Sequence, residues 1–370
     1  MKTPQQSLLL QIWLHPEACR QLDERAWDLL VRQARHANLL GRLYLVFEQH
    51  GLLEAVLPRA RGHMLSAATM ATRQHQAMLR EAGILRDTLA ELGLPLILLK
   101  GTAYVASGLP AVQGRVFADV DILVPRARLD EVESQLILTG WVGATDDAYD
   151  QRYYRQWMHE LPALQHMYRG TALDVHHTIL PPTSRLKPDG AKLIEAAIEL
   201  PGQPGIRVLA PCDMVLHSAV HLFHEGEADN LLRDLSDLDL LLRHFSADPG
   251  FWETLVTRAA EMHLAGPLRL ALRYAVLLLG TPVPAEVRAA TGSEQPERLD
   301  AIYLRVLTPY HSSSTDRFAR LARAALYVRG HWLRMPPHLL AYHLAHKALW
   351  PPAEPPRPPN APLEPLDGRH

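Results

Sequence analysis

The sequence predicts an α+β fold, in which a small α/β core with a mixed sheet is flanked by helical regions on both sides. Two observations support this class. Before Gly93 and after Pro211, apolar residues recur at helical spacing. Between these regions, short apolar runs at 96–99, 117–124 and 171–177 alternate with helical stretches. Strands alternating with helices are typical of an α/β core.

This pattern divides the chain into four predicted parts. They are an N-terminal helical region (1–72), a catalytic core (73–205), a C-terminal helical domain (206–350) and a tail (351–370). The tail holds eight prolines, so it is predicted to be extended and disordered rather than part of a core.

The helical regions can be resolved into separate elements. Asp23 is predicted to cap the N-terminus of a helix, a second helix follows from Leu39 to His50, and a third begins near Arg73 and ends at Gly93. In the C-terminal domain, helices are predicted at 213–223, 231–244, 251–263, 268–279, 302–308, 317–327 and 337–349.

Composition excludes several classes of protein. The 370 residues carry 38 basic and 40 acidic side chains, and a net charge of −2 argues against sequence-independent binding of nucleic acid. Cys19 and Cys212 are the only cysteines, which argues against a disulfide framework or a cysteine-based zinc site. Since neither a signal peptide nor an apolar run of roughly 20 residues is apparent, the sequence predicts a cytoplasmic protein.

The most informative motif is Asp119-Val120-Asp121, which lies inside an otherwise apolar strand. Alternate strand residues face the same side, so the two aspartates project together, about 7 Å apart at the backbone. Asp174 has the same context in a later strand, where His176 shares its face. Buried carboxylates require a cationic partner, and Mg²⁺ prefers oxygen ligands of this kind.

Three carboxylates from two strands are suited to two-metal phosphoryl or nucleotidyl transfer. One ion activates the attacking hydroxyl, while the other holds the triphosphate and stabilises the leaving pyrophosphate. The alternative is that the aspartates form turns at strand ends or ordinary ion pairs.

Lys100-Gly101-Thr102 provides a matching phosphate-binding segment at the end of the first strand. Glycine lets a triphosphate approach the backbone, and the following helix start offers N–H groups to an anion. Lys100 adds a positive charge, and Arg115 can make a forked contact with phosphate oxygens. A plain strand-to-helix turn with a surface lysine is the alternative interpretation.

The segments LLKGTAYVASGL, GRVFADVDILV and ALDVHHTIL resemble the uncharacterised bacterial nucleotidyltransferase family, within the polymerase-β-like nucleotidyltransferase superfamily. The resemblance extends from the N-terminal helices to about residue 245. The family pattern is a Leu-Lys-Gly strand end, an arginine shortly before Asp-x-Asp, and a later Asp-x-His. It falls here on Lys100, Gly101, Arg115, Asp119, Asp121, Asp174 and His176.

The resemblance implies a nucleotidyltransferase that uses Mg²⁺ or Mn²⁺ and an NTP, ATP among them, to modify an acceptor hydroxyl. Asp119, Asp121 and Asp174 would be the catalytic metal ligands. His176 would contact these ligands without binding the metal itself. Most superfamily members have Gly-Ser where this chain has Lys100-Gly101, and Thr102 is the nearby hydroxyl that can substitute. A catalytically inactive nucleotide-binding protein, or an accessory protein of polysaccharide or secreted-product biosynthesis, is the alternative.

Three further features have both a functional and a structural interpretation. His217, His221 and His224, with Glu225 beside them, have metal-ligand spacing on a helix but are also explained by packing on the core. The charged residues Arg233, Asp234, Asp237 and Asp239 are predicted to form a solvated face or an inter-helix ion pair, and the functional alternative is that Asp234 faces the site from the helical domain.

The third feature is residues 317–347, which are basic and interleaved with aromatic residues. This stretch predicts either contact with a membrane surface or polyanion, or an amphipathic helix that completes the C-terminal domain. The acceptor is not encoded in any recognisable motif, and no sequence-specific contact with nucleic acid is predicted.

Overall fold

A computed structural model describes residues 7–117, 119–143, 147–224 and 230–349. The predicted proline-rich tail at 351–370 lies outside these residues. The fold class is the predicted one, since a mixed sheet is surrounded by helices.

Sixteen α-helices occur in the described part of the chain. They are α1 (Leu8–Leu14), α2 (Glu24–His36), α3 (Leu40–Gln49), α4 (Pro58–Ala90), α5 (Lys100–Ala106), α6 (Leu129–Leu138), α7 (Ala148–Trp157), α8 (Gly190–Glu195), α9 (Pro211–His224), α10 (Leu231–Phe245), α11 (Phe251–Glu261), α12 (Ala265–Leu279), α13 (Ala285–Thr291), α14 (Asp300–Val306), α15 (Ala319–Arg334) and α16 (Pro337–Leu349).

Within the same residues, seven strands form one sheet in the order β3-β4-β5-β2-β1-β7-β6. They are β1 (Leu96–Leu98), β2 (Asp119–Leu123), β3 (Trp141–Gly143), β4 (Leu164–His166), β5 (Ala172–His176), β6 (Ile198–Glu199) and β7 (Ile206–Val208). The pairs β2–β5 and β1–β7 are parallel, and the other four neighbouring pairs are antiparallel.

The predicted apolar runs form the middle of this sheet. All three residues of β1 are buried, as are the last four residues of β2, which explains why both read as continuous apolar segments. Helix α4 packs on β1, and α5 packs on β2. One continuous apolar core joins the N-terminal helices, the sheet and the C-terminal helices. Strands β2 and β5 both contribute side chains to this core, which fixes their position.

The third N-terminal helix is longer than the sequence predicts. A start near Arg73 is wrong, because α4 begins at Pro58, in the first turn where proline is tolerated. The first half of α4 buries mainly small side chains such as Ala68, which give a weaker periodic signal than leucine. A Cβ added to Gly41 on α3 would lie 3.1 Å from the Ala68 amide nitrogen, so the two helices approach closely.

Two of the predicted domain boundaries fall inside or directly beside a helix or strand. The boundary at 72/73 falls inside α4, and strand β7, which pairs with β1, begins at Ile206, just after the boundary at 205/206. The N-terminal details otherwise agree with the sequence: Asp23 caps α2 by accepting a hydrogen bond of 2.8 Å from the Ala26 amide.

Candidate active site

Three aspartates meet on one face of the sheet. The parallel register of β2 and β5 sets Asp121 directly beside Asp174, and Asp119 lies two residues earlier on the same face of β2. One carboxylate oxygen from each of the three lies within 4.8 Å of the others. Asp121 is buried, whereas Asp119 and Asp174 are partly exposed. The cluster is therefore open to a ligand on one side and enclosed on the other.

The side chains of Lys100 and His176 both contact the carboxylate of Asp121. Its Oδ1 accepts a hydrogen bond from the Lys100 ammonium at 3.0 Å, and the His176 Nε2 is also 3.0 Å away. Burial alone would raise the pKa of Asp121, but the Lys100 charge and the His176 hydrogen bond outweigh burial and hold that pKa well below its ordinary value. Asp121 is thus held ionised and in a fixed position.

Asp174 is in the opposite electrostatic situation. Burial, followed by the negative charges of Asp121 and Glu160, raises the pKa of Asp174 to about 7. The residues around Asp174 therefore do not supply enough positive charge to keep it ionised at neutral pH. A hard divalent cation with oxygen ligands would supply that charge, and three convergent carboxylate oxygens fit its ligand preference.

Metal binding should consequently depend on pH. Below pH 7 a proton on Asp174 competes with the ion, so Mn²⁺ affinity should strengthen about tenfold for each pH unit as this proton is removed, and level off above neutrality. Isothermal titration of the full chain with Mn²⁺ between pH 5 and 8 measures this slope. Asp174→Asn should bind more weakly and with little pH dependence; an unchanged slope in that variant would contradict the assignment.

The Lys100-Gly101-Thr102 segment lies against the same strand. The Leu99 amide donates to the Asp121 carbonyl at 2.9 Å, and Lys100, with a positive φ of 43°, begins α5. The Thr102 hydroxyl is buried and lies 3.4 Å from the Asp119 carbonyl, so it faces the strand backbone. The Lys100 ammonium is in the carboxylate cluster, whereas the Thr102 hydroxyl is not.

Arg115 lies beneath this turn and is held by another helix. Its Nε donates to the Asp237 Oδ2 on α10 at 2.7 Å, and the other oxygen of Asp237 accepts from Arg42 at 2.7 Å. All three side chains are nearly inaccessible to solvent. The structure thus places Arg115 in a buried ion-pair network and outside the carboxylate cluster; its predicted contact with phosphate stays a prediction.

This network explains the glycine at position 101. A Cβ on Gly101 would lie 2.3 Å from the Arg115 Nη1 and 3.0 Å from the Phe117 ring. Because Asp237 pins the guanidinium, Gly101→Ala should lower the free energy of unfolding by about 1–3 kcal/mol, as overpacking does. Urea denaturation measures the change.

Gly83→Ala is the matched control for this substitution. Gly83 lies inside α4 with no atom within 4 Å of its added Cβ, so alanine there should stabilise the protein by about 0.5–1 kcal/mol. If both variants shifted stability in the same direction, the tight contact at Gly101 would not be the cause.

Two site residues were not predicted from the sequence. Glu160 forms an isolated antiparallel bridge with His176, and its Oε2 lies 3.2 Å from the His176 Nδ1. His159 is buried beside the same imidazole, with ring centroids 5.2 Å apart. No strand pattern surrounds His159 and Glu160, so only the tertiary pairing reveals them.

The histidines of α9 are mainly packing residues. His217 and His224 are buried, and the described residues contain no metal-ligand group formed by His217, His221 and His224. Glu225, proposed beside them, lies outside the described residues. Burial, followed by the charges of Lys100 and His176, lowers the pKa of His217 well below its ordinary value, so His217 packs as a neutral ring near the carboxylate cluster.

The acidic residues of α10 are not a solvated face. Asp234, Asp237 and Asp239 are all buried, which contradicts that interpretation, whereas the predicted inter-helix ion pair is confirmed by the bonds of Asp237. The sequence could not reveal this burial, because the partners of Asp237, Arg42 and Arg115, come from distant parts of the chain.

The basic stretch 317–347 lies on the two helices α15 and α16, and α15 buries one of its faces. Leu326 of α15 is buried in the main core, while Leu321 and Val328 are 67% and 55% exposed. The Arg329 guanidinium donates to the Phe223 carbonyl at 2.8 Å, which ties α15 to α9. The structure therefore supports completion of the C-terminal domain, and contact with a membrane or polyanion stays a prediction.

Comparison with known proteins agrees with this geometry. The family model described as uncharacterised nucleotidyltransferase matches residues 23–280, and the chain belongs to that family. The match covers the helices from α2 to α12 and the whole sheet, whereas α1 lies before it. A search of curated proteins found no match. Nucleotidyltransferases usually use divalent metals, and the three aspartates form a group that can hold one.

In the part of the chain that the structure describes, no helix combines enough length with enough hydrophobicity to traverse a bilayer.

Proposed function

We propose that this protein transfers a nucleoside monophosphate from an NTP to an acceptor hydroxyl and releases pyrophosphate, with Mg²⁺ or Mn²⁺ bound at the active site. The observation that supports this proposal is the convergence of Asp119, Asp121 and Asp174 within 4.8 Å on adjacent parallel strands. Membership of a nucleotidyltransferase family supports transfer of this general kind.

The three aspartates would hold the divalent ions. Metal ions bound there would activate the acceptor hydroxyl and stabilise negative charge on the phosphates. Asp121 is suited to be a permanent ligand, because Lys100 and His176 keep it ionised and fixed in position. His176 is thereby a positioning residue, since it acts through Asp121.

Asp174 is suited to accept the proton of the acceptor. Bound metal would keep this carboxylate ionised, and an ionised carboxylate beside the acceptor can take up the hydroxyl proton. The acceptor oxygen would form a bond to the α-phosphorus while the bond to the β-phosphate oxygen breaks. The acceptor proton would pass to Asp174, and pyrophosphate would leave.

On the phosphate side, Lys100 is the cation nearest the carboxylates. Its ammonium lies 3.0 Å from Asp121 and its side chain is 19% exposed, so Lys100 is placed to reach a phosphate oxygen from the rim of the cluster. Gly101 keeps the turn beside it free of a side chain, and Arg115 supports the turn from beneath. Together these residues would orient the triphosphate toward Asp119 and Asp121.

Transfer of the α-phosphate label tests this function. Each of the four α-labelled NTPs would be incubated with Mg²⁺ and the full chain, alone and with sugars, aminoglycosides, tRNA and protein acceptors. We expect labelled acceptor together with an equal amount of pyrophosphate, both lost on chelation. Hydrolysis without labelled acceptor, or no metal-dependent reaction with any acceptor, would contradict the proposal.

A second candidate is a nucleotide-binding protein without transferase activity. One observation favours it: Lys100 and Arg115, the cations predicted to bind phosphate, are both ion-paired with aspartates. Equilibrium binding of a fluorescent NTP in the presence of Mn²⁺ separates the two functions. Tight binding without turnover would select the inactive protein, and turnover would exclude it.

A further inference from the structure

A second group of potential metal-ligand atoms lies next to the carboxylate cluster. It contains histidine nitrogens as well as a carboxylate oxygen. His159, Glu160 and His176 each present one nitrogen or oxygen, and these atoms lie within 4.8 Å of one another. Backbone pairing builds this group: Glu160 bridges His176, and the His177 amide donates to the His159 carbonyl at 2.9 Å. The chain before β4 is thus fixed against the end of β5.

The two ring nitrogens of His176 differ in their contacts. Its Nε2 lies 3.0 Å from the Asp121 carboxylate, which can only accept, so this nitrogen donates. Its Nδ1 lies 3.2 Å from a Glu160 oxygen but makes no hydrogen bond and is inaccessible to solvent. A ring that donates one N–H to a carboxylate and presents its other nitrogen beside a second carboxylate is typical of metal sites.

The separations also fit a small tetrahedral ion. Two ligands at ~2.0–2.1 Å from zinc in tetrahedral geometry lie about 3.3 Å apart, close to the 3.2 Å between Glu160 and His176. The His159 Nε2 is 3.9 Å from the same Glu160 oxygen, so a small movement would bring it into range. The Glu160 side chain is 19% exposed, which leaves room for a water molecule as a fourth ligand.

His159 supports the same interpretation. It is 4% exposed, and its ring centroid lies 5.2 Å from that of His176, so it is enclosed beside the other two proposed ligands.

We propose that His159, Glu160 and His176 form a second metal site, which binds Zn²⁺ or a similar borderline cation with water in the fourth position. Two imidazoles and a carboxylate favour zinc, whereas the all-oxygen cluster of aspartates favours Mg²⁺. The ion would fix the ring of His176 and, through it, the position of Asp121. The site goes beyond the proposed function and does not depend on it, because it can be detected without any turnover.

Zinc affinity of the full chain tests this site. Competition with a chromophoric chelator, in saturating Mg²⁺, should show one tightly bound Zn²⁺ per chain. Glu160→Gln and His159→Gln should each weaken binding about tenfold or more. His177→Gln is the matched control, since it removes the adjacent histidine outside the group, and it should leave the affinity unchanged. The double variant Asp119→Asn/Asp174→Asn should also keep its zinc.

Two results would overturn the proposal. One is the absence of zinc binding by the wild-type chain, which would leave His176 as a protonated ring between Asp121 and Glu160. The other is zinc that is lost from the Asp119/Asp174 variant but kept by the Glu160 variant. X-ray absorption of the zinc-loaded wild-type chain gives a check that does not require any variant to fold: two imidazole ligands are expected, and a shell of oxygen alone would contradict the site.

Discussion

Asp121→Asn should abolish nucleotidyl transfer while the protein remains folded. Asparagine keeps the size of the side chain and one acceptor oxygen for Lys100 or His176, but it removes the ionised ligand at the centre of the cluster. Loss of about 4 kcal/mol of transition-state stabilisation corresponds to a decrease in kcat of about a thousandfold. Label transfer measures the rate, and circular dichroism checks the fold.

Asp130→Asn provides the comparison for this variant. Asp130 is exposed in the first turn of α6, so its replacement should leave kcat unchanged within about twofold. Normal turnover by folded Asp121→Asn would show that the carboxylate cluster is not where the metal acts. Loss of activity in both variants would point to a general effect of charge.

Asp237→Asn should cause the largest loss of stability among single charge substitutions in the network described above. Asp237 is the shared counter-ion of Arg42 and Arg115, with both bonds at 2.7 Å and all three side chains buried. Removing it leaves two guanidinium groups in a region that water hardly reaches. Breaking a buried pair in this way costs about 3–5 kcal/mol. Chemical denaturation measures the free energy of unfolding.

Asp28→Asn is a control that breaks an ion pair at the surface. Asp28 pairs with Arg32 at 2.7 Å, but both side chains are 60% exposed, so the expected change is within about 0.5 kcal/mol. A loss below about 1 kcal/mol for Asp237→Asn would show that water or another carboxylate replaces the lost partner. Because the network supports Gly101 and α5, the Asp237 variant should also weaken NTP binding.

The central strands and their aspartates could be predicted from the sequence because both signals are local. Asp119 and Asp121 interrupt an apolar strand at alternate positions, and Asp174 repeats that context in β5. The parallel register that sets Asp121 beside Asp174 becomes visible only in the folded structure. Because all three aspartates lie in apolar strands, the sequence predicted that their side chains converge. It contained no information about the distances between them.

Other parts of the site depend on pairing between distant segments. Strands β4, β6 and β7 have only two or three residues each, too few for a periodic pattern. Arg115 was predicted to face phosphate because its charge is visible in the sequence, whereas its partner Asp237 lies 122 positions away. Glu160 had no signal of its own, because its role arises from its bridge to His176.

The central claim is that Asp119, Asp121 and Asp174 together bind divalent metal. A crystal structure of the full chain with Mn²⁺ and a non-hydrolysable NTP tests it most directly, because anomalous scattering locates manganese without ambiguity. The account predicts manganese in direct contact with all three carboxylates, and the α-phosphate bound to the same ion. Manganese bound elsewhere, or Asp174 turned away from an ion held by the other two, would contradict it.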